Sequence, residues 1–144
     1  MKSNFNPLSA EELVSRINKI PRVNLAQLPT VLEYAPNISK ELNINLYIKR
    51  DDCTALAFGG NKTRHLEFIM AKTLSGEYDC ILTGAASQSN FCRQAVAAAN
   101  KLNLDSYLVL MHGIKGNLMQ GNFLLYNILG ANVEVVDGEN LEEI

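Results

Sequence analysis

Residues 79–102, DCILTGAASQSNFCRQAVAAANKL, decide the fold class because the sequence pattern changes twice within them. Residues 79–83 predict a strand, and their apolar centre, Cys80 to Leu82, is typical of a strand buried on both faces. Residues 84–90 are small and polar, which predicts a loop, and the alanine-rich run 89–102 predicts a helix. This stretch therefore predicts a strand, a polar loop and a helix in direct succession.

The same alternation continues on both sides of this stretch. Helical spacing of apolar residues predicts helices over about 62–75 and over 118–129, and apolar runs predict further strands over 106–111 and 133–136. Strands that alternate with helices favour a parallel sheet with right-handed crossovers. The predicted fold is α/β, a three-layer α/β/α parallel-sheet domain of Rossmann-like type.

The N-terminal third has a different character, with short elements and several prolines. A capping-box pattern predicts a helix over about 10–20, which Pro21 ends. An extended arm and a short helix to Leu42 are expected next, and then a strand over 46–50. The arm has no sustained period, so we expect it to pack on another part of the protein.

Composition excludes several functional classes. The chain has 144 residues, 47% of them hydrophobic, with 13 basic and 15 acidic residues and a net charge of −2. This even distribution of charge argues against nucleic acid and membrane partners. Cys53, Cys80 and Cys92 are widely spaced without a C-x-x-C motif, which argues against a zinc site and favours reduced thiols in the cytoplasm.

Residues 58–64, FGGNKTR, place a lysine directly after a glycine pair. Glycines tolerate positive φ and allow another molecule to approach the backbone closely. The helix predicted to begin at Lys62 would hold the lysine amine in a fixed position. A solvated turn is the alternative interpretation of this stretch.

The polar loop 84–90 provides the second candidate site. Ser87, Ser89 or Asn90 could each cap the following helix, and a plain capping loop is one interpretation. The other is that hydroxyls and N–H groups at this helix start bind an anion such as a carboxylate. An amine and an anion site at the same edge of a sheet suit a Schiff base with pyridoxal phosphate.

Three motifs strengthen this interpretation: I-K-R-D-D at 48–52, G-G-N-K-x-R at 59–64 and Q-S-N-x-x-R-Q at 88–94. With these motifs the chain resembles the pyridoxal-phosphate enzymes that include D-cysteine desulfhydrase and 1-aminocyclopropane-1-carboxylate deaminase. These enzymes have the tryptophan-synthase-β fold, also called fold type II. The resemblance runs from about Leu28 to the end of the chain.

The resemblance implies a domain division and three residues that hold the cofactor. Residues 1–52 would belong to the large cofactor-binding domain, and residues 53–144 would form the small α/β domain. Lys62 would form the imine with the cofactor and later move a proton at the substrate. Asn90 would bond the ring hydroxyl, and Asn61 would brace the loop beside the lysine.

The resemblance also implies the substrate contacts and the reaction. Ser89 would relay a proton or contact the substrate, and Gln88 and Ser87 with the helix-start amides would hold its carboxylate. A small amino acid would be cleaved to a 2-oxo acid and ammonia, with sulfide if it is D-cysteine. The full enzyme would be a homodimer. Arg64 and Arg93 are predicted as ion-pair or loop-bracing residues, and Asp51 and Asp52 as a turn and a partner for Arg64 or Lys49.

In this family the phosphate cup, the partner of the pyridine nitrogen and the substrate-side tyrosines lie beyond position 144. We therefore expect the chain to be the N-terminal portion of a longer enzyme. The alternative is a non-catalytic remnant, a small α/β domain that binds a small molecule or a protein. The identity of the amino acid and its stereochemistry stay open.

Overall fold

The computed structural model describes residues 7–112 and 118–137. Its first part contains short elements followed by one long helix, as the sequence predicts. These elements are α1 (Ala10–Ile17), β1 (Leu32–Tyr34), α2 (Pro36–Leu42), β2 (Tyr47–Lys49) and α3 (Lys62–Ser75). The predicted helices and the predicted strand are confirmed. Strand β1 was not predicted, and it pairs antiparallel with β2.

The second part is the parallel sheet with its crossover helices. The elements are β3 (Cys80–Ala86), α4 (Asn90–Lys101), β4 (Asp105–Met111), α5 (Gly121–Ile128) and β5 (Asn132–Val136). The three strands are parallel and are hydrogen-bonded in the order β3–β4–β5. The predicted α/β class and parallel sheet are therefore confirmed.

Strand β3 runs three residues further than predicted and includes the start of the predicted polar loop. Its last residues, Gly84, Ala85 and Ala86, pair with β4. A Cβ atom on Gly84 would lie 2.4 Å from the carbonyl oxygen of Val109. The small residues therefore serve close packing within the sheet, and the loop proper begins at Ser87.

Helix α4 is the centre of the hydrophobic core, because it packs against both α3 and the sheet. Its alanines meet Leu66 and Met70 of α3 in one cluster. On its other side, Val96 packs with Leu108 and Leu110 of β4 in a second cluster. The alanine-rich sequence is explained by this double contact, since small side chains allow close approach on two sides.

The two faces of the sheet are covered unequally. Leu108 and Leu110 of β4 point toward the helices and are buried, whereas Leu82 is 73% exposed and Tyr107 is 43% exposed. The prediction of strands buried on both faces is therefore wrong for the part of the chain that the structure describes. Residues 7–112 and 118–137 supply two of the three predicted layers.

The proline-rich arm packs on α3, which confirms that it lies against another part of the protein. Glu67, only 2% exposed, accepts hydrogen bonds from the N–H groups of Leu25 and Ala26, each at 3.0 Å. Arg22 lies 3.6 Å from the same carboxylate. Among the helices described, none has the length and apolar character needed to cross a bilayer.

Candidate functional site

The loop before α3 requires glycine at two consecutive positions. Gly59 and Gly60 have φ angles of +73° and +136°. A Cβ atom would lie 1.8 Å from the carbonyl oxygen of Asp52 at Gly59 and 2.4 Å from Nε2 of Gln94 at Gly60. The predicted positive φ is confirmed, but the groups that approach the glycines closely belong to the chain itself and not to another molecule.

The residues just before the glycines are also in left-handed conformations. Ala55, Ala57 and Phe58 have φ angles of 71°, 45° and 67°. Such conformations cost roughly 1–3 kcal/mol each for residues other than glycine, so the surroundings must enforce them. The buried hydroxyl of Thr54 does so by accepting from the N–H of Gly60 and donating to its carbonyl, both at 2.9 Å.

Lys62 is the first residue of α3, as predicted, and its side chain is half-buried. Within the described residues its amine forms no hydrogen bond or ion pair. The next residue, Thr63, is fully buried, which fixes the backbone from which the lysine extends. The site thus combines a rigid attachment point with an uncommitted amine.

The start of α4 lies at the carboxyl end of β3, and Ser89 caps it. The Ser89 hydroxyl accepts from the N–H of Cys92 at 3.3 Å, and its carbonyl accepts from the hydroxyl of Tyr126 at 2.8 Å. Burial raises the pKa of Tyr126, so its hydroxyl stays protonated as the donor. The first N–H groups of a helix have no acceptors within the helix, and those of Asn90 and Phe91 have none among the described residues.

Two side chains join the start of α3 to the start of α4. The buried Gln94 accepts from the N–H and hydroxyl of Thr63 at 2.8 and 2.6 Å and donates to the carbonyl of Asn90 at 3.3 Å. Arg93 donates to the carbonyl of Gly59 at 2.9 Å and to Oδ1 of Asn90 at 3.1 Å. The structure therefore brings the two predicted loops together, and Arg93 is a loop-bracing residue as predicted.

Helix α5 contributes Asn122, which the sequence analysis missed. Its N–H donates to Oε1 of Gln88 at 2.9 Å, and its Nδ2 donates to the carbonyl of Gln88 at 2.8 Å and to Oδ1 of Asn90 at 2.9 Å. Gln88 also donates to the carbonyl of Gln120 at 3.2 Å. Both polar atoms of the Gln88 side chain are thus hydrogen-bonded to the start of α5.

Ser87 and Asn61 were also predicted as site residues, and neither side chain hydrogen-bonds to this cluster among the contacts of the described residues. Ser87 is fully buried and its N–H donates to the carbonyl of Met111 at 3.0 Å, so its hydroxyl is not presented at the surface. Asn61 is exposed and makes no side-chain capping bond. Thr54 and Gln94 hydrogen-bond to the residues on either side of Asn61 and Lys62.

Asp51 forms its ion pair with Arg64, one of the two predicted partners. Nε and an NH2 group of Arg64 each lie 2.7 Å from the carboxylate oxygens of Asp51. The guanidinium lowers the pKa of Asp51 to about 2, and Thr30 donates to the same carboxylate at 2.9 Å. In the described ranges, no three His, Cys, Asp or Glu side chains come together to hold a metal.

These features define a class of protein: an α/β domain in which a lysine without a partner in residues 7–112 and 118–137 lies beside a polar helix start at the edge of a parallel sheet. The profile of the family described as "Pyridoxal-phosphate dependent enzyme" matches residues 23–144. The chain belongs to this family.

A D-cysteine desulfhydrase of Klebsiella pneumoniae (strain 342) is 39% identical to the chain over 140 residues, covering 91% of the chain and 43% of that protein. A second D-cysteine desulfhydrase, from Salmonella paratyphi C (strain RKS4594), is 42% identical over 125 residues, covering 84% of the chain and 38% of that protein. The chain thus spans about two-fifths of the length of these relatives.

Two solved structures resemble the chain. One, described as an ACC deaminase homologue, matches with a TM-score of 0.83 and 38% identity over 91% of the chain and 41% of its own length. The other, the processed form of threonine deaminase isoform 2 from Solanum lycopersicum, matches with a TM-score of 0.64 and 22% identity over 90% of the chain and 36% of its own length. The second likeness concerns the fold alone.

The residues of the site fit one half of pyridoxal phosphate. The amine of Lys62 suits the cofactor aldehyde. Oδ1 of Asn90 already accepts two hydrogen bonds, so its Nδ2 is the atom left to donate to the ring oxygen. The donor set therefore matches the aldehyde and the ring hydroxyl, which are adjacent on the cofactor.

Proposed function

We propose that this chain carries the lysine half of a pyridoxal-phosphate site that breaks down a small amino acid to a 2-oxo acid and ammonia, with sulfide if the substrate is D-cysteine. The observation that carries the proposal is the connection between two helix starts. Arg93 and Gln94 hold Asn90 beside the loop from which Lys62 extends. Membership of the family and the names of the relatives support the same activity.

Each residue of the cluster has a defined task in this proposal. When bound, pyridoxal phosphate supplies an electron sink next to the substrate α-carbon. Lys62 holds the aldehyde carbon and then moves a proton at the α-carbon or its neighbour. Asn90 donates to the ring oxygen, and Ser89 lies next to Asn90 as the proton relay.

We assign the substrate carboxylate to the N–H groups of Asn90 and Phe91 at the start of α4. A helix N-terminus favours an anion because its N–H groups are unpaired and its dipole is positive there. Gln88 supports this assignment indirectly, because its side chain ties the loop to α5. The proposal includes a homodimer and a cytoplasmic location for the full enzyme.

A titration with pyridoxal phosphate tests the role of Lys62. We expect the chain to develop visible absorbance on binding and Lys62→Ala to lose it. Lys72→Ala is the matched control, because Lys72 lies exposed in the last turn of the same helix. Equal absorbance in Lys62→Ala and the control would refute the assignment of the lysine.

The second candidate function is a binding domain without catalysis, and one observation favours it. Leu82 and Tyr107 are exposed on the sheet face that no described helix covers. Exposed apolar groups of this kind mark interaction surfaces. This candidate would be preferred if Lys62→Ala and the unaltered chain bound pyridoxal phosphate equally and Leu82→Lys abolished self-association in light scattering.

A further inference from the structure

Asn122 lies outside the three sequence motifs, yet it is hydrogen-bonded to three residues of the candidate site, Gln88, Asn90 and Arg93. We infer that Asn122 is a positioning residue which, with Arg93, fixes the side-chain amide of Asn90 so that its NH2 group faces the cofactor ring. This inference rests on the proposed function, because it concerns the same half-site. It adds a residue from α5, more than thirty positions further along the chain.

The orientation of the Asn90 amide follows from the chemistry of its neighbours. Oδ1 of Asn90 receives Arg93 NH1 at 3.1 Å and Asn122 Nδ2 at 2.9 Å. A guanidinium can only donate hydrogen bonds, so the Asn90 atom that faces it must be the oxygen. The NH2 group therefore points the other way, where it meets no acceptor among the described residues.

Asn122 is itself held in a single orientation. Its Oδ1 accepts from the same NH1 of Arg93 at 3.0 Å, and its Nδ2 divides its two hydrogens between Gln88 and Asn90. Asn90, Arg93 and Asn122 thus form a closed triangle of hydrogen bonds. Turning either amide over would place two donors or two acceptors against each other.

The first turn of α5 lies close to the loop that contains Gln88. Gly121, the residue before Asn122, has a φ of +55°, and a Cβ atom there would lie 2.6 Å from Oε1 of Gln88. Glycine at this position lets the helix start approach the loop closely enough for Asn122 to reach Asn90. The uncommitted NH2 of Asn90 then suits an acceptor such as the negatively charged ring oxygen of the cofactor.

Side-chain amide signals in a ¹⁵N NMR spectrum test the positioning without any cofactor. The Asn90 signals are identified by their loss in Asn90→Ala. We expect them to shift in Asn122→Asp and Asn122→Ala, because the donor to Oδ1 is replaced or removed. Asn127→Asp is the matched control, since it makes the same change on the exposed side of the same helix, and it should leave the Asn90 signals in place.

Titration with pyridoxal phosphate then tests the consequence. We expect Asn122→Asp to raise the dissociation constant about tenfold, the equivalent of one good hydrogen bond, and Asn127→Asp to leave it unchanged. In an Asn90→Ala background, Asn122→Asp should have less than about a twofold effect, because a positioning residue acts through its target.

The outcomes separate this inference from the proposed function. Unshifted Asn90 signals in both folded Asn122 variants would overturn the positioning role, even if the chain binds the cofactor. An equal loss of affinity with and without Asn90 would also overturn it, because Asn122 would then act by general support of the fold. Shifted Asn90 signals in a chain that does not bind pyridoxal phosphate would refute the proposed function and retain the triangle.

Discussion

At the scale of single residues, the site depends on groups that hold loops in place as much as on groups that face a ligand. Thr54 holds the strained turn through two hydrogen bonds to Gly60, and the Gln94 side chain of α4 packs against the same glycine. The strain is therefore stored beside Lys62 and is balanced by buried hydrogen bonds. Backbone strain of this kind is concentrated at functional sites in proteins.

Gly60→Ala tests this close packing. The added Cβ atom would lie 2.4 Å from Nε2 of Gln94, at a φ of +136°. We expect a loss of roughly 2 kcal/mol or more in the free energy of unfolding, measured in urea, because strain and overpacking add. Gly130→Ala is the control, since its φ is also positive but an added Cβ atom would meet none of the described atoms within 4 Å, and it should lose only about 1 kcal/mol. Equal losses would mean that Gln94 moves aside freely.

Asp51 gives the site a dependence on pH. Its pKa is lowered to about 2 in the folded chain by Arg64, so its contribution to stability is present above the ordinary carboxyl pKa. That contribution is lost as the pH falls through about 4 toward 2. We expect Asp51→Asn to cost about 1 kcal/mol at pH 6, allowing for solvent screening, about half of that at pH 3, and little below pH 2. A cost independent of pH would contradict the ion pair.

At the scale of elements, the helices and parallel strands could be predicted because their signals are local. Apolar periodicity and the glycine pair are sufficient to place the start of α3 at Lys62. Strand β1 could not be predicted, because a three-residue strand carries little pattern and its pairing with β2 depends on residues far along the chain. The bonds of Asn122 to Gln88 were missed for the same reason, since they join separate elements.

Gln94 connects α3 to α4, so we expect its substitution to lower the free energy of unfolding strongly. Gln94→Leu keeps the volume but leaves the buried N–H and hydroxyl of Thr63 without their acceptor. We expect a loss of about 2–3 kcal/mol in the free energy of unfolding. Asn100→Leu, on the exposed side of the same helix, should cost less than about 1 kcal/mol. A Gln94→Leu chain as stable as the unaltered one would show that Thr63 finds another acceptor.

At the scale of the whole molecule, one face of the sheet packs against helices, and the other face is exposed in the part of the chain that the structure describes. The apolar run of β3 predicts burial on both faces, but residues 7–112 and 118–137 cover only one of them. Sequence pattern could not show this, because it indicates which residues are apolar and not which segment lies against them. The chain spans about two-fifths of the length of its relatives.

Two leucine substitutions distinguish the two sides of the sheet. Leu110→Ala removes a fully buried side chain, and we expect it to cost about 2–5 kcal/mol in the free energy of unfolding. Leu82→Ala removes a side chain that is 73% exposed and should cost less than about 1 kcal/mol. Comparable losses in urea denaturation would mean that the open face is covered in solution.

Chemical trapping shows directly whether Lys62 is the lysine that binds the cofactor. The chain is incubated with pyridoxal phosphate and reduced with borohydride, and the modified lysine is located by peptide mass spectrometry. We expect the label to lie at Lys62 and Asn122→Asp to lower its yield more than Asn127→Asp does. A label spread evenly over the exposed lysines, with Lys62 no more modified than Lys72, would contradict this assignment.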